Sequence, residues 1–153
     1  MIRFLESDLR LLPVLQKGGC AFLCPHWLLP DEISPEEANS RFQVFNQQGV
    51  ISNDCTINAW SRFLAGVHSG QSVILYPFQF SRKVSDRSYP CAYNEKEILK
   101  WELRSLPQPD GTFENHFTVG DGRGNTAWDP ENRPDVMALP TTVFVEKVIV
   151  LLG

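Results

Sequence analysis

Long apolar runs are missing from this sequence of 153 residues. The longest, Cys20–Leu29, is half the ~20 residues a membrane-spanning helix needs. The first residues, Met1-Ile-Arg-Phe-Leu-Glu-Ser-Asp8, carry charges where a secretory signal needs an unbroken apolar core. A cytoplasmic chain without a membrane segment is therefore expected. A basic excess is missing too: 14 Lys and Arg stand against 18 Asp and Glu, a net charge of −4. Nucleic-acid binders carry a basic patch or stripe, and the densest basic stretch, Arg82-Lys83…Arg87, is broken by Asp86. Cysteine is sparse, with Cys20, Cys24, Cys55 and Cys91 as the four thiols. Cys20, Cys24 and His26 lie close in sequence, but Cys55 and Cys91 form no second ligand knuckle, so no metal site and no cofactor are expected. No Gly-x-Ser-x-Gly turn is present, which removes the common serine-hydrolase signature.

What is present is an ordinary globular balance, 42% hydrophobic and 21% charged, at the length of a single domain. The periodicity changes near residue 70. Before it, Cys20–Leu29 reads as a buried helix opening after Gly18-Gly19, with Pro25 as an irregularity. Leu5–Leu15 is too short and mixed to assign. Ser34-Pro-Glu-Glu37 is a capping box with proline at the first helical position, and Ala38, Phe42 and Phe45 then share one face up to Gly49. Asn58 is placed to cap a third helix carrying Trp60, Phe63, Leu64 and Val67.

After residue 70, alternation takes over. Ser72–Tyr76, Glu97–Leu103 (Leu99, Trp101 and Leu103 on one face) and Thr142–Leu152 read as strands. Thr112–Val119 and Asn125–Trp128 flank the turn Gly120-Asp-Gly-Arg-Gly124 and read as a hairpin. The expectation is one α+β domain over residues 1–153, helical to about residue 70 and an antiparallel sheet from about 71.

One constellation in this layout carries chemistry. A thiolate is the nucleophilic form of cysteine, and the first turn of a helix favours it through unpaired N–H groups and the helix dipole. Cys20 holds that place, and Gly18-Gly19 leave its approach side without side chains. Cys24 lies one turn deeper. Of the histidines, His26 lies in the apolar segment, His68 in a polar turn and His116 in the strand Asn115-His-Phe-Thr-Val119. The returning strand ends in Trp128-Asp129-Pro130, which brings Asp129 across from the His116 region. A carboxylate there orients an imidazole, the third role beside nucleophile and base.

Gly19-Cys20 opening an apolar helix, His116-Phe-Thr-Val-Gly, the Gly-rich turn and Asp129-Pro130 together resemble the papain-like cysteine peptidases. The branch most similar is that of the leader peptidases of bacteriocin exporters and their short bacterial and phage-borne relatives. Gln48–Cys55 resembles the helical linker of the latter. The resemblance implies helices carrying Cys20 packed against a sheet carrying His116 and Asp129, with a cleft between. It implies Cys20 as nucleophile, His116 as general base and acid, Asp129 as orienter, and a peptide or amide substrate cleaved through an acyl-enzyme thioester. The family's oxyanion glutamine precedes the cysteine by about six residues; Val14 stands there, so Gln16 or backbone N–H groups must substitute, and one lost donor typically costs ~10²–10³ in rate. The alternative is a papain-like scaffold that binds a peptide or protein partner without cleaving it.

Overall fold

The computed structural model describes residues 1–153. Residues 1–12 form no helix; they run as a strap, with the Ile33 N–H donating to Met1 O and the Glu6 N–H to Pro130 O. Helix α1 (Pro13–Gly18) begins on a proline, whose missing N–H costs nothing at a helix start. It meets α2 (Cys20–Trp27) at Gly19. A Cβ on Gly19 would lie 2.5 Å from the Leu15 carbonyl oxygen, so only glycine permits this junction. Cys20 thereby becomes the first residue of α2. Every residue from Cys20 to His26 is buried, the behaviour of a helix that is apolar all round. Pro25 is accommodated near the end of this short helix.

Helix α3 (Pro35–Gln47) forms as its capping box predicts, with Ser34 Oγ accepting the Glu37 N–H at 3.1 Å and Ala38, Phe42 and Phe45 buried. Helix α4 (Trp60–Ala65) corrects one expectation. Its cap is Ala59, with no side-chain bond, while the Asn58 amide donates to Gly49 O and its carbonyl accepts from Ser52 Oγ. Asn58 thus braces the loop before α4 instead of capping the helix. No helix is long and apolar enough to cross a membrane.

The remaining chain is α+β in the expected order. Strands β1 (Val67–Ser69) and β2 (Ser72–Ile74) form a small hairpin. Strands β3 (Phe78–Val84), β4 (Glu95–Pro107), β5 (Phe113–Gly120), β6 (Thr126–Trp128) and β7 (Thr142–Leu152) form a second sheet in the order β3-β7-β4-β5-β6. Every pairing is antiparallel. A short helix α5 (Pro134–Met137) precedes β7. The predicted strand at 72–76 stops at Ile74, and β1 and β3 were not legible. A register shift between Phe80 and Arg82 marks an irregularity in the pairing of β3 with β7.

Both faces of the large sheet are covered at its centre, so consecutive Ile98 and Leu99 are fully buried. Ile98, Val119, Val148 and Val150 join the core built by the helices, while Leu99, Trp101 and Leu103 pack with Val136, Met137 and Phe144. On the same face as Leu99, which is opposite Lys147 in the register, lies a buried ion pair, Lys147 Nζ to Glu97 Oε2 at 2.7 Å. Glu97 also accepts the N–H groups of Gly122 and Gly124 at 3.0 and 2.8 Å. A Cβ on Gly120 would sit 2.4 Å from the Glu97 carboxyl, so glycine there admits it. The pair thus shapes the turn of the β5–β6 hairpin, which carries His116 and leads into Asp129.

Candidate active site

Helix α2 packs on β5, and this contact sets the site. The backbone N–H of Phe117 is directed at the Cys20 sulfur. His116, one residue earlier, is 2% exposed and donates from Nε2 to Asp129 Oδ1 at 2.7 Å. That bond assigns the Nε2–H tautomer and leaves Nδ1 as the ring's basic nitrogen. Asp129 is well anchored, since its Oδ1 also accepts the Glu131 N–H at 2.9 Å and its Oδ2 the Arg133 N–H at 3.0 Å. Burial raises its pKa, but the His116 bond and charge and these N–H groups outweigh that and hold it below the ordinary 3.8. At the far end of α2, Trp27 stacks on Trp128 with ring centroids 5.7 Å apart, clasping the helix to the hairpin.

A cleft of about 620 Å³ opens beside this group. Cys20, Trp60, Phe117 and Glu131 line it, together with Lys17 and Lys100; His116 and Asp129 do not. His116 and Asp129 meet in the Nε2–Oδ1 bond, and α2 starts at Cys20. The sequence misjudges the thiol. A lowered pKa is expected at a helix start, yet burial, reinforced by the carboxyls of Glu6 and Glu131, pushes Cys20 well above its ordinary value. The N–H groups of Phe117 and Ala21 oppose this without overcoming it. Gln16 points elsewhere: its Nε2 donates to Leu11 O at 2.8 Å, and it does not line the cleft.

The other candidates separate cleanly. His26 is fully buried, donating from Nδ1 to Phe22 O and accepting from Tyr76 OH on Nε2, both at 2.8 Å. Burial drives its pKa down to about 3, so the ring is neutral and structural. His68 lies exposed in β1. The four cysteines are free thiols. Cys55 shares the cleft with Cys20, at a φ of +70°, and bonds through Sγ to Val14 O.

Two residues of the site escape sequence reasoning. Glu131 Oε2 lies 3.8 Å from His116 Nδ1 and accepts from Arg133 Nη1 at 2.5 Å. Glu6, 1% exposed, faces the first turn of α2 and the Glu131 carboxyl. No spacing rule joins residue 6 to residue 131; the strap that brings them together is a tertiary contact. No protein-family model, curated protein or solved structure matches the chain.

Proposed function

We propose that the chain is a cysteine-type amide hydrolase of papain-like character, acting on a peptide or amide through Cys20, His116 and Asp129. The observation that carries this reading is the 2.7 Å bond from His116 Nε2 to Asp129, on the strand whose next N–H faces the Cys20 sulfur. His116 Nδ1 takes the proton of the Cys20 thiol as the sulfur forms a C–S bond with the amide carbon. The carbonyl electron pair moves to oxygen. With the Gln16 amide committed to Leu11, stabilising that oxyanion falls to backbone N–H groups. On collapse the C–N bond breaks, and His116 returns the proton to the departing amine. Water, losing a proton to His116, then cleaves the thioester to a carboxylic acid and regenerates the thiol. Asp129 orients the ring throughout.

A second reading, a papain-like scaffold that holds a peptide in the cleft without cleaving it, is favoured by the raised Cys20 thiol. A panel of fluorogenic peptide amides, with mass-spectrometric trapping of the acyl-enzyme, separates the two. The hydrolase reading expects turnover by the full chain and a thioester on Cys20. Turnover is lost in Cys20→Ala and His116→Ala, with a loss about two orders of magnitude smaller in Asp129→Asn. Absence of turnover, with a peptide bound equally by the wild type and Cys20→Ala, establishes the scaffold instead.

A further inference from the structure

The site holds one buried acid that the reaction above does not use. Both side-chain oxygens of Glu6 are buried and make no hydrogen bond of regular geometry. A buried polar group without a partner is costly and rare, so it needs an explanation. Its surroundings supply one. The N–H groups of Gly19 and Cys20 face it from the α1–α2 junction, and the Glu131 carboxyl faces it from the loop after β6. Its own backbone N–H is tied to Pro130 O at 2.8 Å in that loop. Glu131 is itself bonded to Arg133 and lies beside His116 Nδ1. Two carboxyl groups meeting in a buried space cannot both be ionised; one must hold a proton.

We propose that Glu6 is a positioning residue for Cys20: as a protonated acid it fills the buried space between the first turn of α2 and Glu131 and leaves one carboxylate, not two, beside the nucleophile. The inference rests on Cys20 being the reactive thiol, as the hydrolase reading requires. Glu131 is the member of the pair that has a counter-charge, since Arg133 Nη1 donates to its Oε2, and it lines the cleft. Burial and the contact with Glu131 push the Glu6 carboxyl up to about 9, so it is neutral at physiological pH. The titratable groups around Glu6 are Cys20 and Cys24 on α2, Cys55 before α4, and Glu131 after β6 with its partners Arg133 and His116. Ionising Glu6 therefore adds a negative charge next to three thiols and disfavours the thiolate of each.

The test needs no substrate. Alkylation of Cys20 by iodoacetamide in the full chain is followed by peptide mapping from about pH 7 to about pH 10.5. In the wild type the rise of rate with pH flattens as Glu6 loses its proton to solvent near pH 9. In Glu6→Gln the amide keeps the shape of the side chain but cannot ionise, so the flattening disappears. The ratio of Glu6→Gln to wild-type rates then climbs about tenfold across the range, the change in thiolate fraction for a unit shift in thiol pKa. Glu131→Gln removes the neighbour that keeps Glu6 neutral and moves the flattening to lower pH. Superimposable wild-type and Glu6→Gln profiles overturn the proposal. Should Glu6→Gln not fold, an unmoved inflection in Glu131→Gln overturns it equally. A chain that cleaves no amide yet shows these profiles keeps the Glu6 assignment and fails only the hydrolase reading.

Discussion

Replacing Lys147 by methionine tests whether the buried ion pair organises the half of the molecule that carries His116 and Asp129. Both side chains of the pair are fully buried. Lys147 Nζ donates to Glu97 Oε2 at 2.7 Å, to Arg87 O at 3.1 Å and to Tyr89 O. Methionine approximates the length of lysine, so the cavity term is small. What is lost is the counter-charge of Glu97 and the donor for two backbone carbonyls. Glu97 keeps the N–H groups of Gly122 and Gly124, which tempers the loss. Breaking a buried pair from one side typically costs ~3–5 kcal/mol. At this chain length, where ~1 kcal/mol moves Tm by roughly 2–4 °C, the melting point should fall by roughly 6–20 °C. Thermal and urea unfolding followed by tryptophan fluorescence measure it, and amide exchange at Gly122 and Gly124 should accelerate. Because the penalty comes from a stranded charge, Glu97→Gln combined with Lys147→Met should recover at least half of it. A single-variant loss below about 1 kcal/mol would refute the reasoning, as would a double variant no better than the single.

Tyr76→Phe strands the buried Nε2 of His26 without its donor and should cost ~1–3 kcal/mol in urea unfolding. Acid should destabilise the fold in two stages. Unfolded His26 takes up a proton below its ordinary 6.5, whereas folded His26 stays neutral to about 3, so the unfolded state binds more protons and stability falls as pH drops through that window. Asp129 contributes stability that is fully present above 3.8 and is lost as pH falls through its lower folded value; Asp129→Ala should flatten this acid limb alone in pH-dependent unfolding. Under limiting iodoacetamide near neutral pH, Cys91 should label before Cys20, Cys24 and Cys55, because it alone of the four is not buried; peptide mapping reads the order.

Local chemistry made much of the fold legible. Ser34 and Glu37 mark the start of α3 because a cap is a bond between near neighbours. Leu99, Trp101 and Leu103 identify β4 because alternation follows directly from the pleat. The β5–β6 hairpin follows from its Gly-rich turn. Asn58 escaped the same logic, since its side-chain oxygen, the atom a cap would use, accepts from Ser52 Oγ in the folded loop.

The protonation chemistry around Cys20 was not legible, and the reason is distance along the chain. Sequence alone determined that a helix opens near Cys20 and that a hairpin leads into Asp129, because both depend on bonds within a junction or a turn. A helix start by itself argues for a reactive thiolate. Only the tertiary structure decided how deeply that start is buried, and that Glu6 and Glu131 arrive beside it from opposite ends of the chain. Desolvation and through-space charge depend on what surrounds a group in three dimensions, so at Cys20 they override the local dipole from which the sequence argument began.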